Sequence, residues 1–376
     1  MGDIGCSLNI AFRADSSVQI GTGHIMRCLT LADELSRKGH KCRFICREHK
    51  GHMGELISSK GYEITLLPIT SGTSQESLSS GDAAHADWLG ASWQQDAEQT
   101  LKALGPSKAD WLVVDHYALG ALWEKQVAKL AGRIMVIDDL ADRSHECALL
   151  LDQNLGRSAS DYDSLVPKDC DRLIGAEYAL LRPEFAELRE RSLRRRLKPE
   201  LKRILISLGG VDRTNLTGQV LDALATAALP GSTQLDIVMG SAAPYTTQIR
   251  RQAAQLPYKT TVSVSVSDMA ERMCLADLSI GAAGGTSWER CCLGLPAVLV
   301  ILAENQITGG TALEAAGATL TITDPKMVKA ALPKELVKVG RSDYLRSMSS
   351  AAAEITDGTG ASKAVRSMQL LAGSSL

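Results

Sequence analysis

Gly21-Thr22-Gly23-His24-Ile25-Met26-Arg27-Cys28-Leu29-Thr30-Leu31-Ala32 decides the reading of this chain. Before it stand an apolar run of strand character, Leu8-Asn9-Ile10-Ala11-Phe12, and the polar stretch Arg13-Ala14-Asp15-Ser16-Ser17-Val18-Gln19-Ile20. After the glycines a helix opens, with apolar residues at Ile25, Leu29, Leu31, Ala32 and Leu35. A strand, a glycine turn and a helix begin a βαβ unit, and open parallel sheets bind ligands beyond the carboxyl ends of their strands. The turn therefore sets His24 at a helix N-terminus, where a ligand would sit.

The same alternation continues. Strand-like runs at 41–46, 62–67, 111–114, 133–137 and 148–152 are separated by helical or polar segments, with a short helix at 51–60, helical periodicity over 82–104 (Trp88, Leu89, Trp93, Leu101) and a helix at 122–130. The Gly/Ser-rich stretch 71–80 reads as a loop. Two strands end in polar groups, Asp115-His116-Tyr117 and Asp138-Asp139, on the side of the sheet expected for His24. A basic run around Pro199 (Arg189, Arg191, Arg194, Arg195, Arg196, Lys198, Lys202, Arg203), interleaved with glutamates, reads as a solvated helix end and interdomain linker. Strands at 204–208, 235–239, 261–266, 278–280 and 297–300 follow, two of them running into Gly209-Gly210 and Gly281-Ala282-Ala283-Gly284-Gly285-Thr286-Ser287. The expectation is an α/β protein of two Rossmann-like domains facing a cleft: 1–188, a basic linker 189–202, and 203–376, whose terminal helical material is available to pack back on the first domain.

Composition removes several classes of function. At 376 residues the chain is long for one core and suits two α/β domains. A net charge of −2 and 4% aromatic residues argue against nucleic acid and acidic membranes as partners. Nine dispersed cysteines contain no CxxC pair and no zinc spacing, so neither a metal nor a disulfide framework is expected. No run approaches the roughly 20 apolar residues that span a bilayer, and no basic leader with a cleavage site is evident. A soluble, cytoplasmic protein without a cofactor is the expectation.

The motifs narrow the chemistry. A dinucleotide fingerprint would need glycine where Met26 stands, and GxxxxGK[ST], GxSxG and HExxH are all missing. Imidazole titrates near neutrality, so His24 suits a general base, with Asp15 as a candidate to orient its ring and Arg13 and Arg27 close in sequence. As packing alternatives, a histidine can cap a turn and Asn305 can cap a helix. The small residues Gly284, Gly285 and Thr286 permit close backbone approach to phosphate oxygens, and Gly209 and Gly210 offer a second approach. Glu289 suits ribose hydroxyls or the helix dipole equally, and the amides of Asn305 and Gln306 can read sugar hydroxyls or acetamido groups.

Taken together, Arg13-Ala14-Asp15-Ser16-Ser17, Ile20 through Ala32, Val113-Val114-Asp115-His116-Tyr117, Ile137-Asp138-Asp139-Leu140-Ala141-Asp142-Arg143, Leu151-Asp152-Gln153-Asn154, Gly175 through Phe185, Ser207-Leu208-Gly209-Gly210, Gly281 through Arg290 and Glu304-Asn305-Gln306 resemble the UDP-2,4-diacetamido-2,4,6-trideoxy-β-L-altropyranose hydrolases of pseudaminic acid biosynthesis. The resemblance covers about residues 9 to 320 and is similar in architecture to GT-B glycosyltransferases. It implies metal-independent, inverting cleavage of the C1–O bond of a UDP-sugar, with His24 as catalytic base. Substrate contacts fall on Arg13, Asp15, Gly21, Gly23, Arg27, Arg182, Gly209, Gly210, Gly284, Gly285, Thr286, Glu289, Asn305 and Gln306. A GT-B glycosyltransferase and a non-catalytic nucleotide-sugar sensor are the alternatives. A paired-carboxylate glycosidase is disfavoured because no two acids are clearly placed about one site.

Overall fold

In the computed structural model, which describes residues 7–70, 85–106 and 108–373, strands and helices alternate along almost the whole chain. The elements of the first half are β1 (Asn9–Ala14), α1 (Gly23–Arg37), β2 (Lys41–Arg47), α2 (Gly54–Ser59), β3 (Glu63–Leu67), α3 (Trp93–Leu104), β4 (Ala109–Asp115), α4 (Ala121–Val127), β5 (Ala131–Ile137), β6 (Leu149–Asp152) and β7 (Asp171–Ile174). Those of the second are α5 (Pro183–Arg195), β8 (Arg203–Ser207), α6 (Leu216–Thr226), β9 (Gln234–Met239), α7 (Thr246–Ala253), β10 (Lys259–Val264), α8 (Met269–Leu275), β11 (Leu278–Ala282), α9 (Thr286–Cys292), β12 (Ala297–Val300), α10 (Ile307–Ala315), β13 (Thr319–Ile322), α11 (Val328–Val339) and α12 (Ser342–Ile355), before the terminal α13 (Gly360–Gly373).

The chain divides into two units, 1–180 with 360–376, and 181–359. Unit one holds a seven-stranded parallel sheet in the order β3-β2-β1-β4-β5-β6-β7, and unit two a six-stranded parallel sheet in the order β10-β9-β8-β11-β12-β13. Both orders reverse direction once, between β1 and β4 and between β8 and β11. At such a switch point the loops leaving the two central strands diverge to opposite faces and open a crevice above their carboxyl ends.

Burial explains the strand readings. The central strands of unit one are apolar on both faces, with Ile10, Phe12, Val113, Met135 and Leu151 packed under α1 and Ala11, Leu112, Val114, Val136 and Leu150 packed under α4. The buried face of α1 carries Ile25, Leu29, Leu31, Ala32 and Leu35, the residues picked out by their spacing. Each fully buried Ile or Leu side chain among them contributes about 1.5–3 kcal/mol. The terminal α13 lays Ala361, Ala364, Val365 and Met368 into this same core, and Ser362 donates to Glu34 on α1 at 2.7 Å.

Several sequence readings need revision. The division falls after residue 180, not 188, and 189–202 is not a free linker. Most of the basic run lies on or just beyond α5, which is built into unit two. Arg189 donates to the carbonyls of Cys292, Ala353 and Thr356, Arg195 pairs with Asp277 at 2.6 Å, and the buried Arg196 donates to those of Met273, Cys274 and Ala276. These guanidinium groups satisfy carbonyls left open at helix ends. The helical pattern over 82–104 is broken at Gly90, where φ is +66°, and α3 restarts behind a capping box between Ser92 and Gln95. Strands β7 and β13 escaped the sequence reading because each has only four residues, on a sheet edge. The 71–80 loop, the 82–84 end of that helical pattern and Cys6 lie outside the described residues.

Beneath the β1–α1 loop lies a buried ionic network. Arg13 bridges Asp15 and Asp96 at 2.6 Å each, Arg47 also reaches Asp96 at 2.6 Å, and the Trp123 indole donates to Asp96 at 3.0 Å. All four charged side chains are fully buried. Removing one member strands the others without water. Asp96→Ala should therefore destabilise the protein by about 3–5 kcal/mol, read as a shift of the urea midpoint at unchanged slope.

Candidate active site

The switch point of unit one brings together residues that are 91 positions apart. His24 enters from the first turn of α1, and Asp115 is the last residue of β4, whose neighbour in the sheet is β1. The His24 Nδ1 lies 2.6 Å from Asp115 Oδ1. Because an ionised carboxylate only accepts, Nδ1 carries a proton, and in the neutral imidazole Nε2 is then the acceptor. Tyr117 packs edge-on against the imidazole, ring centroids 4.7 Å apart.

Asp115 is fully buried and heavily engaged. Arg27, one turn after His24, donates from Nε to Oδ2 at 2.6 Å and from Nη2 to Oδ1 at 2.7 Å, while its Nη1 donates to Asp139 at 2.9 Å. Cys28 Sγ lies 3.6 Å from Oδ2. Burial alone would raise the Asp115 carboxyl, but Arg27 and His24 outweigh it and hold it well below the usual carboxylate range. The Cys28 thiol is pushed up by burial and by Asp115, which makes it an inert neighbour and no nucleophile.

Asp15, the expected partner of His24, is elsewhere. It is fully buried, ion-paired with Arg13, accepts the Arg47 backbone N–H at 2.6 Å and faces His116 Nε2 at 3.3 Å. Arg13 is equally buried. Neither side chain is exposed, and both anchor the loop that carries the glycines. Within that loop Ser17 accepts the N–H groups of Gln19 and Ile20, and Gly21 closes it at φ +84° while donating to the Ser17 carbonyl. Gly21 and Gly23 have open space where a Cβ would stand. Arg27, expected to touch substrate, is committed to two carboxylates.

In unit two the candidate residues gather above β8 and β11. Gly209 and Gly210 are exposed, with no atom within 4 Å of where a Cβ would stand, and Gly209 needs its positive φ of +99°. The first N–H groups of α6 are already taken, since Asp212 accepts from Leu216 and Thr217. Gly284 and Gly285 lie between β11 and α9, which Thr286 opens; no atom lies within 4 Å of where a Cβ on Gly285 would stand, and the nearest to one on Gly284 is Gln306 Nε2 at 3.8 Å. Gln306 is partly occupied, because its Oε1 accepts the Leu302 N–H at 3.0 Å. Asn305 is exposed in a short 3₁₀ turn whose side-chain cap position is not its own. Glu289 lies 3.6 Å from Arg182, which also pairs with Glu184 and covers the Phe185 ring. Burial raises the Glu289 carboxyl, with Arg182 and Arg290 opposing.

Arg290 is a support of the glycine loop that sequence reasoning missed. Buried beneath the glycine loop, it donates to Ser279 Oγ at 3.0 Å and to the Ala282 carbonyl at 3.1 Å, and desolvation lowers it to about 10. A side chain on Gly281 would collide with it. Among the described residues no cluster of His, Cys, Asp or Glu is arranged to hold a metal ion, and no helix is long and apolar enough to cross a membrane.

Comparison with known proteins agrees with this architecture. Residues 204–366 match the glycosyltransferase family 28 C-terminal domain. The UDP-2,4-diacetamido-2,4,6-trideoxy-β-L-altropyranose hydrolase of Campylobacter jejuni is 31% identical over 218 residues, 58% of this chain and 66%, just under two thirds, of that protein. The spore coat polysaccharide biosynthesis protein SpsG of Bacillus subtilis is 25% identical over 84% of each chain. Among solved structures, Acinetobacter baumannii MurG superposes with a TM-score of 0.67 at 16% identity, covering 96% of this chain and 99% of its own. The calicheamicin glycosyltransferase CalG4 gives 0.61 at 14%, covering 98% and 99%. The fold is thus that of the GT-B enzymes, two Rossmann-like domains.

A pH dependence follows from Asp115. Its folded-state value is depressed below the ordinary value of 3.8, so the stability it contributes is present above pH 3.8 and is lost as pH falls below that value. Asp115→Asn should flatten the acid side of the stability curve, measured as urea midpoints between about pH 2 and pH 7.

Proposed function

We propose, from its similarity to the UDP-2,4-diacetamido-2,4,6-trideoxy-β-L-altropyranose hydrolase and from the geometry of the site, that the chain is a nucleotide-sugar hydrolase of that family, with that UDP-sugar as substrate and UDP and free 2,4-diacetamido-2,4,6-trideoxy-L-altrose as products, in pseudaminic acid biosynthesis. One observation carries the reading: the 2.6 Å bond from His24 to a buried, ionised Asp115, which leaves Nε2 as a proton acceptor at a sheet switch point. Water donates a proton to His24 Nε2 as its oxygen bonds to the anomeric carbon. The C1–O bond breaks with its electron pair passing to the diphosphate oxygen, and the anomeric centre inverts. No step requires a metal ion.

In this reading unit two takes the nucleotide. The backbone N–H groups of Gly209, Gly210, Gly284, Gly285 and Thr286 would take the diphosphate, the four glycines leaving room for its approach, and stabilise the charge that grows on it, the contribution expected to be largest. Glu289, steadied by Arg182, accepts from the ribose hydroxyls, and Asn305 and Gln306 read polar groups of the ligand. Unit one supplies the base and the glycine turn that presents it.

A glycosyltransferase is the second reading, because the matched domain and the solved structure of CalG4 carry glycosyltransferase names. An acceptor hydroxyl would then stand where water does. Incubation of the UDP-sugar in ¹⁸O-water without any acceptor separates the two. Free sugar bearing the label supports the hydrolase; absence of turnover until an acceptor is added supports the transferase; label in UDP overturns attack at carbon. His24→Ala should lower turnover by about 10²–10⁴-fold while UDP binding, followed by calorimetry, is retained. Turnover close to wild type in a folded variant would remove His24 from the mechanism.

A further inference from the structure

Two charged groups stand against the imidazole and a third lies one contact beyond it. From α1 comes Arg27; from the end of β4 come Asp115 and, beyond it, His116 and Tyr117; from the end of β5 comes Asp139, reached through Arg27. With Cys28 neutral and Tyr117 raised well above its ordinary value, the formal charges are two carboxylates and one guanidinium. Arg27 lies between the carboxylates as a fork, two of its nitrogens on Asp115 and the third on Asp139, with its side chain only 10% exposed.

We propose that Arg27 is the positioning residue that fixes the protonation and tautomer of the His24–Asp115 pair. This rests on the reading of His24 as a base. The fork occupies both oxygens of Asp115, which leaves a single direction from which Nδ1–H can donate. It also supplies the larger share of the positive charge that a buried carboxylate requires, ahead of the imidazole. In addition, Arg27 Nη2 lies 3.4 Å from His24 Nδ1, a distance at which an imidazolium would meet a like charge. Without Arg27, the buried Asp115 carboxylate would keep His24 as the titratable cation beside it, and Asp139 would lose its guanidinium partner. The imidazole would take up a proton, and Nε2 would become a donor with no capacity to accept from water. A base must be bare at the operating pH, so Arg27 acts on the reaction through His24 and not by touching the substrate. Its fork geometry also matters, because a lysine supplies charge without the paired donors.

The test reads the imidazole directly. Protein carrying ¹⁵N-histidine is examined by long-range ¹H–¹⁵N correlation without substrate, with the His24 signals assigned by their loss in His24→Gln. In the wild type at pH 7, the expected pattern is a proton on Nδ1 and a bare Nε2. In Arg27→Met both nitrogens should be protonated at pH 7. In Arg27→Lys, which keeps the charge, Nε2 should stay bare. Arg27→Gln replaces Arg27→Met if the latter does not fold. Turnover of Arg27→Met should fall at least about tenfold at pH 7 and recover as the pH is raised, with KM little changed. Arg27→Lys should lose turnover without moving the pH profile. A bare Nε2 in folded Arg27→Met at pH 7, with a profile like the wild type, overturns the proposal. The spectra are independent of activity: doubly protonated His24 in Arg27→Met supports the proposal even if no nucleotide sugar is turned over, an outcome that would sink only the hydrolase reading.

Discussion

One buried carboxylate organises the candidate active site. Asp115 sits at the carboxyl end of a central strand with no exposure to solvent, where an ionised group persists only if its charge is matched and its lone pairs are filled. Arg27 matches the charge, and Arg27, His24 and the nearby Cys28 thiol take the lone pairs. The first turn of α1 therefore has to carry both His24 and Arg27. Three residues apart, they fall on the same side of the helix and meet the same acceptor. The apolar residues of α1 hold the helix to the sheet at the height where this meeting is possible.

A second buried charge set keeps the preceding loop from wandering. Asp15 is the branch point: one oxygen takes the Arg47 backbone N–H from β2, and both oxygens receive Arg13 from β1. Ser16 accepts the Met53 N–H at 3.0 Å, and Val18 donates to the Lys50 carbonyl at 3.1 Å. The loop is thereby stitched to the β2–α2 connection before it turns at Gly21. Rigid support of this kind holds a reacting group to a fraction of an ångström, which a glycine-rich loop alone does not.

Unit two uses a different device for the same end. Its loops are small where they face outward and tightly opposed where they meet. A Cβ on Gly240 would overlap the Gly210 carbonyl, and one on Gly281 would overlap the Arg290 guanidinium. Arg290 has no carboxylate among its hydrogen-bond acceptors, a serine hydroxyl and a main-chain carbonyl, which is consistent with its lowered value. It braces the turn from below and leaves the upper face of Gly284 and Gly285 as bare backbone. Glycine at these positions is explained by packing beneath and access above.

Much of this was legible in the chain itself. Alternating apolar runs and glycine turns determine a doubly wound α/β protein, because strands buried on both faces must be continuously apolar and helices buried on one face must repeat at 3.6 residues. The pairing of a glycine turn with His24, and of Gly284-Gly285-Thr286 with a strand end, is local and so readable. Which acid meets His24 was not. Asp15 is nine residues away in sequence but its side chain turns inward to Arg13, whereas Asp115, at a distance of 91 residues, arrives through the parallel pairing of β1 with β4. Sheet order decides such a contact, and strand order is not written in any one strand. The same holds for the basic run at the end of α5. Its composition suggests a solvated linker, and only the tertiary structure shows that its arginines end on carbonyls and on Asp277. Local pattern determined the elements and the residue types at their ends; long-range packing decided which charges are partners and which are left to react.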